Sequence, residues 1–142
     1  MRDQVNRIHP VMGLAPLAAA ITDNTAQVSA IIDRRGYEAL TFLIATGILA
    51  DVDATFAVTM DHGDASNLSD AVAVPAASMI GTLANASFTF ANDGVLRKIG
   101  YAGDKRYARL TITPAANTGN APLAIVALLG HPVLAPTSNP PA

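Results

Sequence analysis

From Gln27 to Leu129 the chain is cut by turn signals about every 8–12 residues, and no stretch keeps a 3.6-residue apolar period through three helical turns. That pattern constrains the fold more than any other feature. Gln27–Ile32 is rich in β-branched residues and ends at Asp33-Arg34-Arg35-Gly36. Tyr37–Thr46 is a strong core-strand candidate, apolar on nearly both faces, and it stops at Gly47. Thr55–Asp61 alternates, with Phe56, Val58 and Met60 on one side and Thr55, Thr59 and Asp61 on the other. Ala71–Met79 is ambiguous, since its valines suit a strand, its alanines a helix, and Pro75 breaks either. Ala86–Phe90 precedes the Asn92-Asp93-Gly94 turn. Val95–Tyr101, Arg106–Thr113 and Leu123–Leu129 follow, the last a continuous apolar run suited to a central strand with both faces covered. The expectation is an all-β protein: a single antiparallel β-sandwich, jelly-roll-like, of about 7–8 strands.

The ends read differently. Residues 1–25 lack a sustained period and are interrupted by Pro10, Gly13 and Pro16, which predicts an extended N-terminal arm instead of a first core strand. Residues 26–131 form the sandwich domain. Residues 132–142 form a tail dominated by Pro132, Pro136, Pro140 and Pro141, none of which can donate to a sheet ladder. Both ends are expected to lie on something, neighbouring chains or their own domain. Arg2, Arg7 and the Val11–Ala20 run ending in Ala18-Ala19-Ala20 resemble a secretion signal, but the prolines and Gly13 interrupt the apolar stretch and argue against one.

Composition narrows the function. Charged residues are 14% of the chain, against about a quarter in an average domain. A lone monomer would show much uncharged surface, which favours a protein buried in an assembly. The net charge of −2 argues against binding to nucleic acid or to an anionic membrane. No apolar run reaches the ~18–20 residues of a membrane span. Without cysteine there is neither disulfide nor thiolate metal ligation.

Chemistry is sparse. Asp51 and Asp53, with Asp61 and Asp64, match no calcium-loop spacing and read as solvated strand ends. His62 beside Asp61 suggests an oriented base, but no Gly-x-Ser-x-Gly elbow or cysteine nucleophile accompanies it. Gly100-Tyr101-Ala102-Gly103 and Gly119-Asn120 lack the lysine and spacing of a phosphate loop. The chain is therefore expected to be no enzyme and to use no cofactor or metal.

One run stands apart. Five of the nine basic residues, Arg97, Lys98, Lys105, Arg106 and Arg109, fall between Val95 and Leu110 with Tyr101 and Tyr107. The run reads as two short strands joined by a Gly103-Asp104 turn. Planar guanidinium groups and rigid tyrosines make these seven residues candidates for a protein interface. The bland alternative is structural, with Arg109 pairing to Asp33, Glu38 or Asp104 and Tyr101 acting as a core-edge anchor. Nucleic acid is the weakest of the three readings, for want of net positive charge and aromatics.

Taken in order, several blocks resemble a known family: Ser29-Ala30-Ile31-Ile32-Asp33 with Gly36–Phe42, then Thr46-Gly47, Phe56–Asp64, Arg97–Tyr101, Lys105–Arg109, and Leu128–Pro132 with Ala135-Pro136. Over about Gln27 to Pro136 the chain is similar to small proteins of tailed bacteriophages and prophages encoded near the major capsid protein. The resemblance implies a capsid cement or decoration protein of β-sandwich or jelly-roll type, docked on the outer capsid as a homo-oligomer (dimer or trimer). It implies a virion location after synthesis in the host bacterial cytoplasm, the major capsid protein as partner, and no catalytic residues. A head–tail connector or tail component is the alternative. A carbohydrate-binding β-sandwich on the particle surface ranks lower, because the chain has no Trp and only three Tyr.

Overall fold

The computed structural model describes residues 3–16 and 20–141. Arg2 and the Ala18-Ala19 pair of the signal-like run lie outside them, as does Ala142 at the end of the tail. The chain forms two antiparallel sheets. Their strands are β1 (Ile8–Leu14), β2 (Gln27–Val28), β3 (Ile32–Asp33), β4 (Tyr37–Thr46), β5 (Thr55–Gly63), β6 (Val72–Ala73), β7 (Met79–Ile80), β8 (Phe88–Thr89), β9 (Leu96–Tyr101), β10 (Tyr107–Ala115) and β11 (Leu123–Pro132). A single turn of α-helix, α1 (Leu83–Ala86), is capped by the Thr82 hydroxyl, which accepts from the Asn85 N–H.

The first sheet runs β1-β11-β4-β9-β7, and the second runs β2-β10-β5-β6, with β3 also on β10 and β8 on β5. We count β2 and β3 as one interrupted strand and set aside the two-residue β7 and β8. The eight main strands then fall in the order 1-8-3-6 in one sheet and 2-7-4-5 in the other. That is a jelly roll, in which each main strand passes to the opposite sheet except from the fourth to the fifth, β5 to β6, which pair as neighbours. The interruption between β2 and β3 has a local cause. The buried Ser29 hydroxyl accepts from the Leu110 N–H at 2.9 Å, and Ala30 N–H donates across to the Gly13 carbonyl at 2.7 Å.

Alternation fills the space between the sheets. Leu40, Phe42 and Ile44 of β4 meet Ile125, Ala127 and Leu129 of β11, and face Phe56, Val58, Met60, Leu110 and Ile112 of the second sheet. Phe56 and Phe88 stack with centroids 4.8 Å apart.

One expectation is corrected, and two points left open by the sequence are answered. The N-terminal segment is no free arm: Ile8–Leu14 is an edge strand, in register with β11 from Ile8 opposite Gly130 to Leu14 opposite Ile125. Pro10 is tolerated because an edge strand leaves one row of N–H groups unused, and Gly13 falls at an irregularity between Met12 and Leu14. The proline-rich tail folds back on its own domain, where Thr137 N–H donates to Asn6 O at 3.0 Å and its hydroxyl to Ile8 O at 2.7 Å. Val95–Leu110 is not a hairpin, because β9 belongs to the first sheet and β10 to the second.

Candidate interaction surface

The crossing from β9 to β10 divides the basic run. On the far side, Lys105, Arg106 and Arg109 meet carboxylates of their own chain. Arg106 makes a two-pronged contact with Asp33, Nε to Oδ1 at 2.9 Å and Nη2 to Oδ2 at 2.7 Å, and its guanidinium lies over the Tyr107 ring at 4.8 Å. The hydrogen bond from Arg106 holds the Asp33 carboxyl below its ordinary range. Lys105 Nζ lies 2.7 Å from Asp64 Oδ2 and depresses that carboxyl in the same way. Arg109 stands directly opposite Asp61 across the β10–β5 ladder, with Nη2 3.5 Å from Oδ2. Its partner is thus none of the three anticipated.

Tyr101 is removed from the surface altogether. It is 2% exposed, and its phenolic oxygen sits 2.7 Å from His62 Nδ1 while accepting the Lys105 N–H at 3.0 Å. Both contacts of the phenolic oxygen are hydrogen bonds when the phenol donates to Nδ1. Burial pushes the Tyr101 phenol up, which keeps that proton on oxygen. The Arg34 guanidinium covers the ring at 4.9 Å. Tyr101 is therefore a core hub and no interface residue. An Asp61–His62 dyad is ruled out by the strand itself: successive side chains point to opposite faces, so His62 enters the core while Asp61 faces out. Asp51 is likewise engaged, accepting from the Thr118 hydroxyl and N–H, both at 2.7 Å. Of the other tyrosines, Tyr37 stacks on His9 and Tyr107 lies beneath Arg106.

Arg97 and Lys98 remain. Neither has a carboxylate within ion-pair distance among the described residues, and Arg97 Nε is buried without a hydrogen-bond partner. Both sit on β9, but alternation sends Arg97, opposite the buried Ile44, to the inner face, and Lys98, opposite Leu43, to the outer face of the first sheet. That face is the surface the sequence reading missed. Along β4 and β11 the outward pairs are Thr41–Leu128, Leu43–Val126 and Ala45–Ala124. Toward the edges it continues through Met12, Ile80 and Leu96, which are 54%, 68% and 72% exposed. A hollow of about 690 Å³ opens on it between Asp3, Arg7, Leu43, Leu128 and Lys98. A second, of about 500 Å³, lies between Ile80, Asn85, Leu96 and Arg97.

The second sheet shows what a solvated face looks like. Its outward cross-strand pairs are Arg109–Asp61, Thr111–Thr59 and Thr113–Ala57. An antiparallel sheet with one wet face alternates apolar-in and polar-out. The second sheet obeys that rule except at Val28, opposite Thr111 and 46% exposed, and the first does not. The signal was present in the two-faced apolarity of Tyr37–Thr46 and Leu123–Leu129.

These features define an eight-stranded jelly roll with one polar outer face and one apolar face open. No family model matches the chain, and no curated protein matches it in sequence. Among solved structures it is similar in fold to the SPBc2 prophage-derived protein YomS, at 10% identity and TM-score 0.44 over 85% of this chain and 92% of that one. It is also similar to the PRD1 vertex protein P5, at 7% identity and TM-score 0.47 over 91% and 100%. A xylan-binding domain of carbohydrate-binding family 22 aligns at 12% identity and TM-score 0.44 over 91% and 90%.

Proposed function

We propose that this chain is a structural protein of a tailed-bacteriophage virion, a cement or decoration protein that docks on the major capsid protein and stabilises the head. The observation that carries this reading is the contrast between the two outer faces. Central strands that are apolar on their outer side too, with Leu43, Val126 and Leu128 half-buried and Met12, Ile80 and Leu96 exposed toward the edges, make a surface of the kind that supports docking to another protein. The order of blocks from Gln27 to Pro136 supplies the setting, a phage head, and the partner, its capsid protein. On this reading the chain is made in the host bacterial cytoplasm and ends on the capsid surface.

The mechanism is additive contact. A rigid jelly roll loses little conformational freedom when it docks. The same modest contact, repeated over a lattice, resists expansion and loss of capsomers cooperatively. No group transfer is involved, and the exposed pairs Lys105–Asp64 and Arg106–Asp33 occupy the β10 cations within the chain while adding little to stability.

The test is to add purified chain to particles assembled from the cognate major capsid protein and to sediment them. The expected result is co-sedimentation in lattice stoichiometry, with a raised temperature of particle disruption. A ring-sized copy number would move the chain to a connector, and a complete failure to bind particles would remove the capsid role.

A further inference from the structure

The open face of the first sheet has the properties of a self-complementary contact, and we infer that a second copy of this chain covers it, the two first sheets packing face to face about a two-fold axis. The inference rests on the reading of the chain as an assembly protein and specifies one of its partners.

The first support is area. Five strands about 4.8 Å apart and about seven residues deep, at about 3.4 Å each, make a face of roughly 24 by 24 Å. The projected area is about 600 Å², and side-chain relief raises the accessible area toward the ~800 Å² per partner of a standard stable interface. Sheets pack face to face about 10 Å apart when both inner faces are apolar, as Leu43, Val126 and Leu128 make this one.

The second support is charge placed for reciprocity. Asp3 and Lys98 both border the hollow, as does Arg7, and Asp3 accepts hydrogen bonds from the Asn6 N–H and side-chain amide of its own chain. Asp3 precedes β1, whose first residue is at the level of Gly130 and Ala39, while Lys98 lies opposite Leu43, four residues further along β4. Midway in register between Ala39 and Leu43 lies the Thr41–Leu128 pair, in the middle of the sheet. A two-fold axis through that point sets Asp3 of each copy against Lys98 of the other, giving two equivalent ion pairs. Lys98 has no carboxylate of its own chain to compete, among the described residues. Leu128 then packs on its own symmetry mate.

The experiment is sedimentation velocity and light scattering on the full chain over a hundredfold range of concentration. The expected species has twice the 14.6 kDa mass of the chain. Leu128→Glu, which buries two carboxylates at the axis, is expected to give a monomer with an unchanged circular-dichroism spectrum. Should that variant fail to fold, Lys98→Asp at the surface weakens the dimer about tenfold or more, and the exchange Asp3→Lys with Lys98→Asp restores it. A monomer at every concentration overturns the inference, as does a dimer indifferent to both Leu128→Glu and Lys98→Asp. A monomer whose capsid binding is lost with Leu128→Glu assigns the face to the capsid protein, overturning self-pairing while keeping the assembly role. A dimer broken by these variants that never binds capsids upholds self-pairing and removes the capsid reading.

Discussion

Replacing Tyr101 by Phe removes one oxygen atom and tests whether the tyrosine of the basic run is a core hub. The ring stays, with its packing and the Arg34 guanidinium above it. Lost are the 2.7 Å contact to His62 Nδ1 and the 3.0 Å bond from Lys105 N–H. His62 is only 6% exposed, so its abandoned nitrogen finds no ready water, and an unsatisfied buried acceptor costs about 1–3 kcal/mol. The Lys105 N–H is nearer solvent and recovers part of its bond. The expected loss is about 2–3 kcal/mol, which for a domain of this size lowers Tm by roughly 6–12 °C. Calorimetry and urea unfolding at unchanged m-value measure it. A double-mutant cycle with His62→Phe sharpens the test. Removing both partners leaves nothing unsatisfied between them, so the double variant is expected to cost less than the sum of the singles by about 1–2 kcal/mol. A Tm within about 2 °C of wild type, or strict additivity, refutes the buried pair. Binding to partners should be unchanged below the melting temperature, because Tyr101 is interior.

Ser29→Ala strands the Leu110 N–H in the interior and is expected to cost about 1–3 kcal/mol by chemical denaturation, without loss of strand content. Arg106→Ala deletes an exposed pair and should leave the thermal midpoint close to wild type; a large drop would show the Asp33 contact to be structural. Stability should also depend on pH in one direction. Asp33, Asp51, Asp64 and Asp70 are all held below the ordinary value of 3.8, by hydrogen bonds from Arg106, Thr118, Lys105 and the Asp64 N–H respectively. A depressed carboxyl stabilises the fold above its unfolded value and ceases to as pH falls through its folded value. Urea midpoints should therefore be flat near neutrality and fall below about pH 4, with a shallower acid limb in Asp33→Asn.

Local rules carried the strands well. Tyr37–Thr46 coincides with β4 because alternation, β-branching and the stop at Gly47 are all properties of that segment alone. β5 and β10 follow for the same reason, and the Asn92-Asp93-Gly94 turn is completed by Gly94 at φ 59°, where a side chain is strained. Sheet membership is not local. The two strands expected in Val95–Leu110 are present, but strand-turn-strand reads alike whether the second strand pairs with the first or crosses to the other sheet, as β10 does. The same crossing scattered the interface candidates. Residues adjacent in sequence were expected to act together, yet Arg97 and Lys98 lie on opposite faces of β9 in the first sheet, and Lys105, Arg106 and Arg109 meet carboxylates at the second. β1 was lost to Pro10 and Gly13, which count as breakers only where a strand has neighbours on both sides.

The division of the basic run leads to opposite salt responses for the two surfaces it could have made. An interface built on all five cations would lose affinity steadily with ionic strength, since each exposed pair is screened over about 8 Å at 0.15 M salt. A contact on the apolar face of the first sheet gains from salts excluded from protein surface, and only the Asp3–Lys98 contribution is screened. Sodium chloride should therefore weaken self-association modestly and reach a plateau, and ammonium sulfate should strengthen it. Lys98→Ala should abolish the sodium chloride dependence while leaving the sulfate dependence intact. Continuous weakening in both salts, or the same response from Arg106→Ala as from Lys98→Ala, would return the interface to the charged end of β10 and refute the apolar one.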